Sequence, residues 1–418
     1  MKAITLIILF FCCVQIQSSL AQDSLSIKIG QMILIGFPKA EVDKNVLEEI
    51  RQGKVGSIIL FEKNVPAKNS YFDLKKMIWT YKKAAPIPLI VAIDQEGGRV
   101  NRLKEKYGFP RSLSAANLGK MPLDSIRFYS QSTAATLAGL GFTMNFAPVV
   151  DLATNPDNPI IAKVERSYSK SADSVILFAR EFIREHQKVG VLTSLKHFPG
   201  HGSSKDDTHL GLTDVTQTWS EEELSPYRTL INEGYAESIM TSHIVNKNLD
   251  PSQYPGTMSS KIITDLLRKR LNYNGVVFTD DMQMHAISKH YGVEEAIKLT
   301  ILAGVDILTF SNNISGSQER TVDKVHSIIR KFVEEGVIPK ERIDESYRRI
   351  MMLKKMMGNT DSDFYRQKLE QTEQQSAAYR EQALRFQKLA MDNEMKITEL
   401  TIQLLEEQAK SEKRKKKN

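Results

Sequence analysis

Three of the eight histidines in this sequence fall within thirteen residues, from His197 to His209, and Asp207 stands two positions before the last of them. Histidine is the side chain whose ordinary pKa lies closest to neutral pH, and a nearby carboxylate can fix its tautomer and hold its proton. In an extended loop, Asp207 and His209 project to the same side. This pair therefore indicates acid/base chemistry.

Two other interpretations of this segment remain open. His197 and His201 have the four-residue spacing of zinc ligands on a helix, but Pro199 and Gly200 lie between them and would break that helix. The segment could also be an ordinary solvated loop. Polar residues elsewhere in the sequence favour a catalytic role, with no metal ion and no cofactor.

The elements that position these residues follow from hydrophobic patterning. Between residues 26 and 358, short β-branched runs alternate with longer amphipathic segments. Eight such units favour a single (β/α)8 barrel over an open doubly wound sheet, because no Gly-rich phosphate loop follows the first strand. The predicted strands are 32–37, 55–61, 89–94, 143–151, 189–196, 238–243, 275–280 and 305–310. Among the predicted helices are 125–140, 174–188, 221–233, 260–271, 293–303 and 323–335.

Polar residues recur at the carboxyl ends of the predicted strands. Asp94 ends the third strand, Asp151 the fourth, Lys196 the fifth, His243 the sixth and Asp280 the seventh. Each one alone could be structural, since an aspartate at the end of a strand often caps a helix. In a barrel these ends meet on one face, where such enzymes carry out their chemistry. Together they predict an active site.

Three segments carry a family resemblance. They are Lys196–Gly202 followed by Asp207-Thr208-His209, residues 94–102, and residues 278–284. These segments resemble the signatures of glycoside hydrolase family 3, and more specifically those of its β-N-acetylglucosaminidase branch, whose bacterial members act on peptidoglycan and its fragments. The resemblance extends over about residues 26–356. Departures from the family pattern are small: Thr208 replaces the usual serine, and Met-Gln-Met at 282–284 replaces Leu-Ser-Met.

The resemblance implies specific roles. Asp280 would be the nucleophile that forms a covalent glycosyl-enzyme, and His209, held by Asp207, would be the acid/base residue. The family also implies a set of contacts to sugar hydroxyl groups, made by Asp94, Arg102, Arg166, Lys196 and His197.

Physical chemistry is consistent with these roles. Retaining hydrolysis needs one ionised carboxylate beneath the sugar and one proton donor beside the leaving oxygen. A histidine donor adds no second negative charge near Asp280, and a glycine-containing loop could bring His209 in after the substrate binds. Because side chains alternate along a strand, we expect Asp281 to point away from the pocket.

The amino terminus predicts a secretory signal peptide at residues 1–21. Lys2 precedes an apolar run of about thirteen residues, which is too short to span a membrane, and Ser19-Leu20-Ala21 forms a small-x-small cleavage site. Both cysteines of the chain lie inside this segment. Export without disulfides favours a bacterial periplasm. We expect residues 22–358 to form the catalytic domain. A lipid anchor on one of these cysteines is the alternative.

Residues 359–418 differ in character from the rest of the chain. From residue 362 onward there is no Pro and no Gly, and the end is strongly basic. The segment predicts a long helix with a weak heptad seam that Asn393 interrupts, so a homo-oligomeric coiled coil, a solitary helix and a partly disordered tail all remain open. The basic end could contact a membrane or cell-wall surface. The seam is formed by Ala383, Phe386, Ala390, Ile397, Leu400 and Leu404.

Composition sets the remaining limits. The chain has 41% hydrophobic and 26% charged residues and a net charge of +7, which are ordinary values for a globular protein. Without aromatic residues between the basic ones, nothing indicates nucleic-acid binding. Together with the predicted signal peptide, the family resemblance implies a secreted retaining exo-β-N-acetylglucosaminidase acting on a carbohydrate. A phosphorolytic variant, a β-glycosidase of other sugar preference and a non-catalytic cell-wall scaffold remain alternatives.

Overall fold

The computed structural model describes residues 24–207, 211–288, 290–313 and 321–357, together with residues 381, 385, 388 and 396. The predicted signal peptide, the catalytic candidate His209 and most of the predicted tail lie outside these residues. The four described tail residues are helical. The domain boundaries and the coiled coil therefore stay predictions. None of the helices within the described ranges is long and apolar enough to cross a membrane.

Eight parallel strands close into a barrel, as the alternating pattern predicts. Every strand of the barrel overlaps one predicted strand. The strands are β1 Ile33–Gly36, β2 Ser57–Leu60, β3 Ile90–Ile93, β4 Met144–Asn145, β5 Leu192–Phe198, β7 Ser238–Thr241, β9 Val276–Asp281 and β10 Ile307–Phe310. Going round the barrel, the order is β1, β10, β9, β7, β5, β4, β3 and β2, and the ring closes where β1 pairs with β10.

Helices surround the barrel and bury its outer face. The strands are short and rich in Ile, Val and Leu, as strands covered on both faces require. The six predicted helices all appear, although 221–233 divides into a 3₁₀ turn, Glu221–Leu224, and helix α6, and 260–271 is a π-helix, Lys261–Arg270. Residues 24–31 form a helix before the first strand. The later α-helices are α1 Lys44–Arg51, α2 Ser70–Ala84, α3 Ala115–Leu118, α4 Leu123–Leu140, α5 Ala172–Lys188, α6 Ser225–Asn232, α7 His285–Ser288, α8 Val293–Ala303, α9 Thr321–Glu334 and α10 Lys340–Met356.

Two predicted strands are wrong in extent. The predicted strand 143–151 contains only the two residues of β4, because Pro148 has no N–H to continue the ladder. Beyond it, a single bridge joins Val149 to Lys196. The predicted strand 189–196 begins later, at Leu192, and continues to Phe198. Lys196 therefore lies inside β5 rather than at its end.

A second, two-stranded sheet lies outside the barrel and was not predicted. Its strands are β6, Thr213–Asp214, and β8, Ile244–Val245, which pair in parallel. They belong to the segments that follow β5 and β7, so the sheet joins two connections on the carboxyl-end face of the barrel. This sheet ties the end of the histidine-rich loop to the next connection.

The opposite end of the barrel also contains buried charge. Asp306, which directly precedes β10, accepts hydrogen bonds from Arg268 at 2.6 Å, Arg342 at 3.2 Å and Arg349 at 3.3 Å. Lys354 of α10 donates to neutral oxygens of Gln31 and Gly56. Charged groups at this end of a barrel serve stability rather than chemistry.

Candidate active site

A cavity of about 230 Å³ opens at the carboxyl ends of the barrel strands. It is lined by residues from the connections after β3, β4 and β10 and from β5 and β9 themselves. Six residues that the sequence singles out meet here, although they come from four separate parts of the chain. They are Asp94, Arg102, Arg166, Lys196, His197 and Asp280.

Lys196 is the central cation of this cavity. Its side chain is 2% exposed, and its Nζ lies 2.9 Å from Asp94 Oδ1 and 2.6 Å from Glu96 Oε1. Arg102 Nη2 approaches the other oxygen of Asp94 at 3.4 Å. Burial alone would raise the pKa of Asp94, but the Lys196 and Arg102 charges hold that pKa below its usual range. Asp94 is therefore an ionised hydrogen-bond acceptor at the cavity wall.

Glu96 is a site residue that the sequence reasoning missed. Its two carboxylate oxygens each accept a hydrogen bond of 2.8 Å from Arg166, in a bidentate pair. Burial opposes its charge, but Arg166 and Lys196 hold the pKa of Glu96 well below its usual range, and Glu96 in turn raises the pKa of Arg166 against the effect of burial. The only signal in the sequence was its position two residues after Asp94 in the same polar run.

His197 is oriented by Asp151, a predicted strand-end residue to which the sequence assigned no specific role. His197 Nδ1 lies 2.7 Å from Asp151 Oδ2, and its Nε2 lies 3.2 Å from Arg166 Nη2. Because a guanidinium can only donate, Nε2 accepts and Nδ1 carries the proton, which it donates to Asp151. Burial would raise the pKa of Asp151, but His197 and His201 lower it below its usual range. The histidine ring is thus fixed in one tautomer.

Adjacent residues reach the cavity from both β5 and β9, which regular alternation would forbid. In β5, Leu195 pairs with Ile239 and Phe198 with Thr241, so β5 contains one extra residue there. A one-residue bulge re-aims side chains and is common beside active sites. It allows both Lys196 and His197 to line the cavity.

The second bulge lies in β9 and overturns one expectation. Phe278 pairs with Ile307 and Asp281 with Thr309, which again places one extra residue in β9. Asp280 and Asp281 both line the cavity, so the prediction that Asp281 points away from it is wrong. The alternation on which that prediction depended is interrupted by the bulge.

The two aspartates at the end of β9 differ in their surroundings. Asp281 accepts hydrogen bonds from the backbone amides of Gln283 at 3.1 Å and Ser311 at 3.2 Å, and from the Ser311 hydroxyl. Burial raises the pKa of Asp281 to about 6 despite these donors. Asp280 Oδ1 accepts from the Asp281 amide at 2.8 Å. Asp281 therefore joins β9 to the connection after β10.

A supporting histidine lies just beyond the end of β7. His243 is fully buried; its Nε2 lies 3.0 Å from the backbone oxygen of Asp281 and its Nδ1 lies 2.9 Å from Thr257 Oγ1. It supports the backbone at the end of β9 and is not among the residues that line the cavity.

Of the predicted acid/base pair, the structure describes Asp207 but not its partner. Asp207 is half-buried and is not among the residues lining the cavity. His209 lies outside the described residues. His201, earlier in the same loop, does line the cavity; its Nδ1 bonds to Ser204 Oγ at 2.6 Å, and burial lowers its pKa to about 4. The role of Asp207 and His209 stays a prediction.

The zinc alternative can be examined at His197 and His201. Their ring centroids are 6.0 Å apart and the rings are nearly perpendicular, and each Nδ1 is already hydrogen-bonded. Among the residues that the structure describes, no three His, Cys, Asp or Glu side chains converge as metal ligands would.

Residues 24–353 match the Glycosyl hydrolase family 3 N terminal domain. This match covers most of the chain. The chain belongs to glycosyl hydrolase family 3. It is accordingly a glycoside hydrolase, and the family resemblance of the three sequence segments is confirmed.

Similar proteins within family 3 include curated and solved examples. The chain is 32% identical to a Beta-hexosaminidase of Tolumonas auensis over 291 residues, which cover 68% of this chain and 84% of that protein. It is 31% identical to an Uncharacterized secreted glycosyl hydrolase of Arthroderma benhamiae, covering 80% and 94% of the two chains. A solved family 3 β-N-acetylglucosaminidase from Paenibacillus sp. str. FPU-7 superposes with a TM-score of 0.72 at 32% identity, covering 83% of this chain and 68% of that one.

Proposed function

We propose that this family 3 enzyme is a retaining exo-β-N-acetylglucosaminidase that removes terminal β-linked N-acetylhexosamine from a carbohydrate. The observation that carries the proposal is the cavity wall itself, where Lys196 pairs with both Asp94 and Glu96 beside Asp280. The names of the similar proteins, a β-hexosaminidase and a β-N-acetylglucosaminidase, support the same sugar.

The charged wall is suited to holding one sugar ring. Ionised Asp94 accepts hydrogen bonds from sugar hydroxyl groups, while Lys196 and Arg102 donate to their oxygens. Arg166 and His197 are held by Glu96 and Asp151, so their positions are set before the substrate arrives. Such prior ordering reduces the entropy lost on binding.

The reaction proceeds in two balanced steps. An oxygen of Asp280 bonds to the anomeric carbon as the glycosidic C–O bond breaks, and the departing oxygen takes a proton from His209. Water then attacks the same carbon and gives a proton back to His209, and the bond to Asp280 breaks with its electron pair returning to the carboxylate. His209 enters the first step as the imidazolium and leaves it neutral; Asp207 stabilises that cation and keeps the other ring nitrogen protonated in the neutral form.

The test is an assay of the chain lacking residues 1–21 against matched 4-nitrophenyl β-glycosides of N-acetylglucosamine, N-acetylgalactosamine and glucose. We expect the N-acetylglucosaminide to be cleaved with the highest kcat/KM and the β-anomer of the sugar to be the first product. Preference for the glucoside, or initial release of the α-anomer, would refute the proposal. Repeating the assay in phosphate and measuring sugar 1-phosphate separates hydrolysis from phosphorolysis.

The sequence also supports a location and a natural substrate. We propose that residues 1–21 direct export to the bacterial periplasm, where the enzyme acts on peptidoglycan or its fragments. We propose further that the basic carboxyl terminus contacts a membrane or cell-wall surface and that residues 359–418 mediate self-association. One similar protein is called a secreted glycosyl hydrolase. Release of the protein by osmotic shock tests the location, and retention in the cytoplasmic fraction would contradict it.

A further inference from the structure

Glu223 binds the backbone of the histidine-rich loop at residues 202 and 203. It lies in the 3₁₀ turn Glu221–Leu224 and is 1% exposed. Its Oε2 accepts a 2.9 Å hydrogen bond from the Gly202 amide, and its Oε1 accepts a 3.0 Å bond from the Ser203 amide. Burial and the Asp151 charge raise the pKa of Glu223 to about 7, while the amide donors act in the opposite direction.

The same stretch of loop is fixed by other groups. Asp151 accepts from the His201 amide at 2.8 Å. Asn158 Nδ2 donates to the carbonyl oxygens of His201 at 2.8 Å and Gly202 at 3.1 Å, and Asn155 Nδ2 donates to that of Ser204 at 2.7 Å. The backbone from 201 to 204 is therefore held through both its donors and its acceptors.

Close packing explains why two positions in this stretch are glycine. A Cβ added at Gly200, which has a φ of +114°, would lie 2.6 Å from Glu223 Oε2, and one at Gly202 would lie 1.8 Å from the backbone oxygen of Leu152. Beyond Ser204 the chain changes character, because Lys205 and the next residue are exposed. The anchored part of the loop ends at Ser204.

We propose that Glu223 is a positioning residue for the acid/base step: by fixing the amides of Gly202 and Ser203, it sets the point from which the segment carrying Asp207 and His209 extends. This inference rests on the proposed function. His209 follows Ser204 by five residues in the sequence, so a shift of the fixed stretch 201–204 shifts the start of the segment that leads to the proton donor.

A carboxylate suits this task better than an amide of the same shape. Both loop groups are N–H donors, and a carboxylate offers an acceptor to each. In Glu223→Gln, one acceptor becomes an NH₂ group that faces an N–H, so one hydrogen bond is lost and a repulsive contact replaces it. Glu222, the exposed neighbour, provides the matched control in Glu222→Gln.

The experiment compares these two variants with wild type and His209→Ala on an activated aryl β-N-acetylglucosaminide and on a β-linked disaccharide with a poor leaving group. The assays are run above about pH 8, where Glu223, with a pKa of about 7, is ionised and accepts from both amides. We expect Glu223→Gln to lower kcat about tenfold more on the disaccharide than on the aryl substrate, with KM changing less than about twofold. Glu222→Gln should leave this ratio unchanged. An equal loss on both substrates, or no loss, in Glu223→Gln would overturn the inference.

Amide hydrogen exchange of the wild-type protein provides a second measurement, one that does not depend on a variant folding. Gly202 and Ser203 should be protected, and in Glu223→Gln they should exchange at least tenfold faster, whereas exchange at the rate of an unstructured peptide in wild type would overturn the inference. Wild type that cleaves no β-N-acetylglucosaminide would instead refute the proposed function, and the two failures are therefore distinguishable.

Discussion

Lys196 and Asp94 lie 102 positions apart in the sequence, yet their side chains form a 2.9 Å ion pair at the wall of the cavity. Asp94 directly follows β3 and Lys196 lies in β5, with β4 between these two strands in the barrel, so the pair reaches across a full strand. The same ammonium group also reaches Glu96 at 2.6 Å. Lys196 thus acts with Arg102 on Asp94 and with Arg166 on Glu96 to keep both carboxylates ionised at the cavity wall.

Lys196→Met should damage both binding and folding. Removing one partner of a buried ion pair leaves the other charge unpaired and costs about 3–5 kcal/mol of stability. We expect a lower Tm and a kcat/KM reduced by at least about a hundredfold, measured by thermal unfolding and steady-state kinetics. Lys63→Met, at a solvent-exposed lysine near the cavity, is the control; an equal effect there would show that charge alone is responsible.

Asp280→Ala should abolish turnover and leave the fold intact, since it removes the attacking carboxylate at a cavity wall rather than in the core. An activated fluoro-sugar should label Asp280, which peptide mass spectrometry would locate. Asp281→Ala is the comparison: it should lower stability through the lost hydrogen bonds from Gln283 and Ser311 and keep residual labelling at Asp280. A label on Asp281 or on a glutamate would contradict the assignment.

His209→Ala should show a selective defect. Activity should collapse on substrates with poor leaving groups and survive better on activated aryl glycosides, because a good leaving group needs little protonation. Steady-state kinetics on both substrate types measures the difference. An equal loss on both would indicate a binding or folding role, and inhibition of wild type by chelators would revive the metal interpretation.

The sequence predicted the barrel well because each strand is a short apolar run, which can be recognised from neighbouring residues alone. It also located Asp94, Lys196 and Asp280, since polar residues at strand ends need no knowledge of pairing. Glu96 was missed as a site residue, and Asp151 was located without a role, because both roles depend on a partner distant in the sequence, Arg166 for Glu96 and His197 for Asp151.

The prediction of side-chain direction from alternation along a strand was wrong where a strand contains an extra residue. The bulges in β5 and β9 cannot be read from hydrophobic periodicity, because they arise from pairing with β7 and β10. The early end of β4 has a local cause, Pro148, that the apolar pattern of 143–151 obscured.

Lys354 should make stability depend on pH. Burial lowers its pKa from the usual 10.5 to about 7, so between these values the unfolded chain binds a proton that the native protein does not. The free energy of unfolding contributed by this group therefore rises as pH increases from 7 to 10.5. In Lys354→Met that rise should be smaller than in wild type, as urea unfolding at several pH values would measure. Parallel curves for the two proteins would contradict the assignment.

Truncation after Met357 should preserve activity on small substrates. The eight barrel strands and the three family segments all precede residue 358, and α10 ends at Met356. The shortened protein should fold and hydrolyse small β-N-acetylglucosaminides at nearly the full rate. If the tail forms a coiled coil, the full-length protein should elute earlier than the shortened protein on size exclusion. If the tail is a basic anchor, the full-length protein should bind to membranes or cell walls and be released by salt. Loss of small-substrate activity would mean that the tail packs against the barrel and supports the site.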